Sequence, residues 1–251
     1  MRRLLYAGIC ALGLFAGGCV SNRTLDSKLN DIRDKHGVSI EVRERLWTRC
    51  ALSGNVMDTL DRVDKTFDAA PEYFKRNVGT IEVESWFWNN PEMYPGIIFC
   101  PLNAGATNMK NGELHLKSRN LLERAVYTVP YEDVFPHEAT HSFIANAIFK
   151  DQEILNEFSK DWFAASKQSW HCPASIVDFA HVYFKPLLYV RPKGHASMLG
   201  IKGQHEDIAE CGCYLLKHNF QYEEMKQKDR VLYEKLRVME KAMKGKYDMG
   251  R

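Results

Sequence analysis

The most informative stretch of this 251-residue chain is FPHEATHSFI, residues 135–144. Its two histidines are four positions apart, so on a helix His137 and His141 project from one face, one turn apart. Two imidazoles placed in this way can reach one metal ion. Glu138 stands beside the first of them, where its carboxylate can take a proton from an attacking water. The stretch therefore predicts a packed helix that carries two metal ligands and a general base.

A second motif follows 65 residues after His141, at Glu206 and Glu210. A spacing of four residues puts both carboxylates on one face of a helix, where they repel unless a cation or a histidine proton lies between them. A zinc site meets this need if Glu206 is the third ligand and Glu210 accepts the outer N–H of a ligating histidine. The alternative is a surface acidic patch in the first turn of a helix, where the dipole favours negative charge. The apolar pair at residues 215–216 favours a packed helix instead.

The two motifs and their order resemble the gluzincin zinc metallopeptidases. The second motif is most similar to the E-x-x-A-E helix of anthrax lethal factor-like peptidases and of bacterial zinc-binding peptidase lipoproteins. The resemblance covers roughly a tenth of the chain. It implies that His137, His141 and Glu206 bind zinc, that Glu138 is the general base and that Glu210 supports a ligand. It also implies a zincin-like layout: an N-terminal twisted sheet with helices, a mainly helical C-terminal lobe and an active-site cleft between them.

The chain departs from related patterns in two places. Ile144 and Ala147 stand where the metzincin motif HExxHxxGxxH has Gly and His, which excludes that type. The 65-residue interval between the motifs is longer than in compact gluzincins, so an inserted segment such as residues 151–168 is expected. The resemblance further implies a Tyr or His donor to the transition-state oxyanion. The candidates, by proximity in sequence alone, are Tyr189, His195 and Tyr214.

Strand patterns precede helical patterns along the chain. Alternating, β-branched and aromatic residues predict strands at residues 38–42, 80–88, 97–99 and 113–117. Helical patterns occupy residues 55–70, 131–149, 151–168, 204–219 and 221–243. The dipeptide Asn111-Gly112 predicts a hairpin turn. This order predicts one α+β domain over residues 38–251.

The strand at residues 113–117 bears on substrate binding. If it is the edge strand of a cleft, an extended peptide can pair with it by strand addition. The alternating pattern predicts that His115 is an exposed ring without a catalytic role.

The N-terminus has the features of an export signal. Residues 1–18 combine a basic start, an apolar run too short for a membrane span and small residues before Cys19. The stop at a cysteine resembles a bacterial lipobox, although Ala16 stands where an aliphatic residue is usual, so we expect Cys19 to be lipidated after cleavage. The alternative is an ordinary cleaved signal with an incidental cysteine. Residues 19–37 are predicted to be the lipidated N-terminus and a polar tether. The expected location is the bacterial cell envelope, on the outer membrane or the periplasmic face in a Gram-negative cell.

Charge and composition narrow the classes of partner. The chain has 34 Lys and Arg against 32 Asp and Glu, and cleavage before Cys19 would remove Arg2 and Arg3 and balance the two signs. No charge excess remains to bind nucleic acid. We therefore expect a peptide or protein substrate, a membrane anchor at Cys19, no nucleic acid and a monomeric chain.

One main hypothesis and two alternatives follow. The main hypothesis is an exported, lipid-anchored zinc metallopeptidase. The first alternative is a non-catalytic, zinc-containing lipoprotein that acts as a binding module, although a purely structural site has no use for a base at Glu138. The second is a metal-dependent hydrolase that acts on something other than peptides.

Overall fold

The computed structural model of the protein describes residues 22–43, 53–84, 105–117, 131–167, 169–172 and 191–248. Its elements are α1 (Asn22–His36), β1 (Ile40–Arg43), α2 (Ser53–Ala69), α3 (Glu72–Asn77), β2 (Ile81–Glu84), β3 (Gly105–Asn108), β4 (Glu113–Lys117), α4 (Tyr131–Phe143) with a π-helical extension (Ile144–Ile148), α5 (Gln152–Ser166), a 3₁₀ turn (Leu199–Lys202), α6 (Gln204–Lys217), α7 (Met225–Lys228) and α8 (Arg230–Met243). The α+β class predicted from the sequence is confirmed. Across the described ranges, every helix is too short or too polar to span a membrane. Residues 1–18 and Cys19 lie outside those ranges.

The four described strands form one mixed sheet in the order β1-β2-β4-β3. β1, β2 and β4 are parallel, whereas β3 runs antiparallel to β4. The predicted hairpin is confirmed, and its turn places Gly112 at a φ of +69°, a conformation that glycine adopts without steric cost. Among the described strands β3 lies at one edge and β4 lies inside. The condition under which a peptide could pair with residues 113–117, that they form an edge strand, is therefore not met among the described strands, because sequence does not say on which side of β4 its hairpin partner adds.

The core lies between one face of this sheet and the helices. Its sheet side consists of Ile40, Ile81, Val83, Leu114 and Leu116, all buried. On the helical side α2 and α4 meet through Phe67 and Phe135, whose rings contact edge to face at 5.3 Å. Apolar residues that alternate along β1, β2 and β4 thus cover one face of the sheet, as expected for a half-buried strand pattern.

The opposite face of the sheet pairs a histidine with a carboxylate. His115 on β4 lies directly across from Glu82 on β2, and its Nδ1 is 3.0 Å from Glu82 Oε2. The His115 side chain is only 12% exposed. The prediction of an exposed ring is wrong, because the cross-strand neighbour is a buried carboxylate that attracts the imidazole.

Most of the segment that was predicted to be a polar tether, residues 19–37, is helical. Residues 22–36, assigned by composition to a polar tether, form α1, and Leu29 and Ile32 are buried in the core. Arg33 fastens the helix to the sheet by donating from Nη2 to the carbonyl of Ile40 at 2.6 Å. The polar composition conceals an apolar stripe at helical spacing.

The C-terminal helices follow the predicted pattern with one break. The predicted helix over residues 221–243 is divided into α7 and α8 at Asp229, whose carboxylate accepts from the backbone N–H of Leu232 at 3.2 Å and caps α8. The segment expected as an insertion forms α5, which α8 contacts through Lys241 and Asp161 at 2.9 Å. The predicted strand at residues 97–99 lies outside the described ranges.

Candidate metal centre

Helix α4 is anchored to the core by one stripe of its surface. Phe135, Ala139 and Phe143 recur every four residues and are buried. Phe143 packs against Phe74 of α3, with ring centroids 5.0 Å apart. Large buried aromatic rings on both sides fix the rotation of α4 about its axis. The other sides of α4 are therefore held in fixed directions, towards the sheet and towards α6.

A second stripe of α4 faces the sheet. Ser142 Oγ accepts the backbone N–H of Gly79 at 2.8 Å and donates to the carbonyl of Gly112 in the hairpin turn. Glu138 lies one turn before Ser142 on α4. Thr107 Oγ1 on β3 is 2.8 Å from Glu138 Oε2 and 3.0 Å from the Glu138 carbonyl oxygen. The candidate base is thus held beside the edge strand. Thr107 was not among the residues predicted from the sequence, although the predicted hairpin places it near the turn.

A third stripe of α4 packs against α6. Pro136 lies inside α4 and not at its start, and Thr140 Oγ1 donates to the Pro136 carbonyl at 2.8 Å. Thr140 in turn contacts Gly212 of α6, where a methyl group would overlap the Thr140 side chain. A glycine at this point lets the two helix backbones approach closely. This contact could not be predicted from the sequence, because it depends on how α4 and α6 are aligned in the fold.

The fourth stripe brings the predicted metal ligands together. His137 Nε2 lies 3.1 Å from His141 Nε2 and 3.2 Å from Glu206 Oε2. His141 Nε2 and Glu206 Oε2 are 3.9 Å apart. On the other side of the ring, His137 Nδ1 is 2.5 Å from Glu210 Oε1. The structure thus places these four residues in one cluster, and Glu138 follows His137 directly in the chain.

The electrostatics of this cluster favour a cation. Burial acts to lower the pKa of His137, but hydrogen bonds with Glu206 and Glu210 outweigh it and raise this pKa well above its ordinary value. Burial acts to raise the pKa of Glu206, but hydrogen bonds from His137 and His141 outweigh it and lower this pKa. Glu210 Oε1 accepts a hydrogen bond from Nδ1 of His137, and the Nε2 atom of the same ring faces His141 and Glu206. Three potential lone-pair donors therefore converge, and a proton or a metal ion must lie among them.

Solvent reaches the cluster only in part. The side chains of His137 and His141 are 13% and 14% exposed, and that of Glu206 is 35% exposed. Glu210 is buried against its histidine. A ligand set with two partly exposed imidazoles and a more accessible carboxylate resembles an open site, in which a further position stays available to a small molecule.

Within the described ranges, four groups of His, Asp and Glu have ligand atoms within 4.8 Å of one another and could hold a metal. They are His137/His141/Glu206, His171/His195/Asp207, His36/Asp64/Asp68 and Glu82/Glu113/His115. The second and third already contain lysine ammonium groups, from Lys235 and from Lys28 and Lys35. In the fourth, the two ring nitrogens of His115 face different carboxylates. The first group is the best candidate metal centre.

The two candidates for an oxyanion donor that lie in the described ranges, His195 and Tyr214, have other partners. Both ring nitrogens of His195 are engaged, Nδ1 at 3.0 Å from Asp207 Oδ1 and Nε2 at 2.9 Å from the Trp170 carbonyl. Tyr214 lies two turns beyond Glu206 on α6, with its ring against His218 at 4.2 Å. Tyr189 lies outside the described ranges.

Comparisons with models of protein families, with curated proteins and with solved structures gave no match for this chain.

Proposed function

We propose that this protein is an exported, lipid-anchored zinc metallopeptidase that hydrolyses peptide bonds, with Glu138 as general base. The observation that carries the proposal is the convergence of His137 Nε2, His141 Nε2 and Glu206 Oε2 to within 3.1–3.9 Å of one another, with Glu138 beside the first ligand. Export and the lipid anchor at Cys19 rest on the N-terminal sequence.

The donor set and its spacing fit zinc. Zinc bonds to imidazole nitrogen and carboxylate oxygen are about 2.0–2.2 Å long, so ligand atoms of a tetrahedral site lie ~3.3 Å apart. The three measured distances of 3.1, 3.2 and 3.9 Å lie around this value. Glu210 supports the same assignment, because its bond to Nδ1 of His137 selects the ring tautomer in which Nε2 can bind a metal.

The chemistry divides between the metal and the chain. A bound zinc ion would make a water molecule more acidic and polarise the scissile carbonyl. Glu138 then accepts the proton of the attacking water and delivers it to the leaving amine. Thr107 holds the carboxylate of Glu138 in place at 2.8 Å. No covalent enzyme intermediate is needed in this scheme.

A peptide substrate is favoured by the position of β3. In the described part of the sheet β3 pairs with β4 alone, and Thr107 connects it to Glu138. An extended peptide that adds to this edge would bring its backbone past the base. We propose that the fold is zincin-like. Two features support this proposal: the mixed sheet packs against α4, and the helices α5 to α8 follow it in the chain.

The second candidate is the non-catalytic zinc-binding module, which the Thr107 contact favours. Since Thr107 bonds the Glu138 carboxylate, this residue joins α4 to the sheet and has a use without catalysis. Both candidates bind zinc through the same residues, so a test must separate metal binding from hydrolysis.

Glu138→Gln separates the two candidates. Glutamine keeps an oxygen for the Thr107 hydroxyl but cannot take the proton of water, so we expect zinc content and folding to be unchanged and hydrolysis to fall at least ~10³-fold. Zinc is measured by elemental analysis, folding by circular dichroism, and hydrolysis by mass spectrometry of unfolded casein and a peptide mixture.

The matched control is Glu157→Gln, which neutralises an exposed glutamate on α5 and should leave all three measurements unchanged. Undiminished hydrolysis by Glu138→Gln would contradict Glu138 as the base. A zinc-loaded wild-type protein that cleaves no peptide would favour the binding module.

A further inference from the structure

Asp207, which directly follows Glu206 in the first turn of α6, forms a fully buried ion pair with Lys235 of α8. The side chains of Asp207 and Lys235 are both 0% exposed. Lys235 reaches over from α8, and its Nζ donates to Asp207 Oδ2 at 2.5 Å and to the Gly194 carbonyl at 2.6 Å. Burying two charges is costly unless each finds close partners, and both ions here have them. This pair therefore holds α6, α8 and the segment around Gly194 in one arrangement.

His195 extends the network to a further segment. Its Nδ1 is 3.0 Å from Asp207 Oδ1, and its Nε2 donates to the carbonyl of Trp170 at 2.9 Å. Both carboxylate oxygens of Asp207 are thus engaged, one by Lys235 and one by His195. Asp207 therefore takes part in the contacts that connect α6 to α8 and to the segments around residues 170 and 194.

A second metal site does not explain this cluster. His171 Nε2 lies 3.6 Å from Asp207 Oδ2, so His171, His195 and Asp207 have the composition of a ligand set. However, the ammonium of Lys235 already occupies that oxygen, and both ring nitrogens of His195 face an acceptor. The ammonium group of Lys235 therefore already pairs with the carboxylate that a metal ion would need.

The position of Asp207 on the helix connects the network to the candidate metal centre. Successive residues of an α-helix are about 100° apart around the axis. Glu206 immediately precedes Asp207, and Glu210 follows Glu206 by one turn. If the carboxylate of Asp207 is fixed, α6 cannot rotate, and the directions of Glu206 and Glu210 towards His137 are fixed as well.

We propose that Asp207, Lys235 and His195 are positioning residues of the metal centre, which aim Glu206 and Glu210 at the two histidines of α4. This inference rests on the proposed zinc site and deepens it. None of the three residues touches the ligand atoms, so their contribution reaches the metal only through the orientation of α6.

A double-mutant cycle on zinc affinity tests the inference. Zinc affinity is measured by competition with a chromophoric chelator for the wild type, Lys235→Met, Glu206→Gln and the combination of the two. If Lys235 acts through Glu206, Lys235→Met should weaken zinc binding ~10–100-fold in the wild type, as is usual for residues that orient ligands. The same change should have a clearly smaller effect when Glu206 is already glutamine, because only the orientation of Glu210 then remains to be disturbed. A general loss of structure would instead weaken both backgrounds equally, and that result would overturn the inference.

Two further variants keep this test decisive. Lys241→Met removes another lysine of α8, one that pairs with Asp161 near the surface, and should leave zinc affinity unchanged. If Lys235→Met does not fold, Asp207→Asn/Lys235→Met removes both buried charges together and leaves neither one unpaired. A folded double variant that binds zinc as tightly as the wild type would overturn the inference.

The cycle also distinguishes this inference from the proposed function. No zinc binding by the wild type, or no loss in Glu206→Gln, would overturn the proposed metal site and this inference with it. Zinc binding that depends on Glu206 but not on Lys235 would overturn the positioning network alone.

Discussion

At the scale of single residues, the two ring nitrogens of His137 have different partners. Nδ1 bonds Glu210, whereas Nε2 faces His141 and Glu206. Burial acts to lower the pKa of His137, but both carboxylates together raise it, so the metal-free ring holds a second proton above the pH at which an exposed histidine loses it. In the metal-free protein this protonation stabilises the fold at pH values below ~6.5, and the stabilisation disappears as the pH rises through the raised pKa.

Zinc must displace that proton, so zinc affinity should depend on pH. Below the raised pKa of His137 we expect the affinity to increase up to ~tenfold per pH unit, with one proton released per zinc ion bound. Isothermal titration calorimetry in two buffers of different ionisation enthalpy counts the released protons.

The control for this pH dependence is Glu210→Gln. Glutamine removes a carboxylate that raises the pKa of His137, so zinc affinity should stop increasing with pH at a lower pH than in the wild type. Zinc binding should also weaken ~10–100-fold. An affinity that is constant between pH 6 and 8 in the wild type would contradict coordination through Nε2 of His137.

At the scale of elements, the distance between α4 and α6 decides whether the ligands can meet. Gly212 permits the close approach at Thr140. Gly212→Ala should force the helices apart, lower the free energy of unfolding by about 1–3 kcal/mol through overpacking and weaken zinc binding at least ~tenfold. Chemical denaturation and chelator competition measure the two effects.

Gly203→Ala is the matched control for this change. Gly203 precedes α6, and its φ of 164° is extended backbone that any residue adopts. Apart from its chain neighbours, no described residue has a heavy atom within 4 Å of the position of an added methyl group. Gly203→Ala should leave stability and zinc affinity nearly unchanged. If Gly212→Ala behaves like Gly203→Ala, the close approach of the helices does not determine the site.

The same elements show what the sequence could predict. The pairs His137/His141 and Glu206/Glu210 could be recognised because each depends only on the repeat of its own helix. Thr107 and Gly212 could not, because their contacts depend on how elements tens of residues apart are aligned in the fold. The helix α1 was missed for a different reason, since its apolar stripe at Leu29 and Ile32 was present but its overall polar composition indicated a tether.

At the scale of the whole molecule, the candidate centre joins two parts of the chain. α4 is bonded to the sheet through Ser142, whereas α6 is bonded to α8 through Asp207 and Lys235. Zinc that binds the folded but not the unfolded chain stabilises the fold by about 2.7 kcal/mol at a free concentration of 100 times its Kd. For a domain of this size 1 kcal/mol corresponds to roughly 2–4 °C in Tm, so zinc should raise the Tm by about 5–10 °C.

Differential scanning calorimetry of the wild type and His141→Ala, each with chelator and with zinc, measures this stabilisation. His141→Ala should lose most of the zinc-dependent shift, because two ligands remain where three were present. An equal shift in both proteins would mean that zinc stabilises the fold from another position, and no shift in the wild type would contradict zinc as the ion that joins α4 to α6. If the shift depends on His141, the ion that activates water would also link the sheet to the C-terminal helices, and chelators would remove activity and fold stability together.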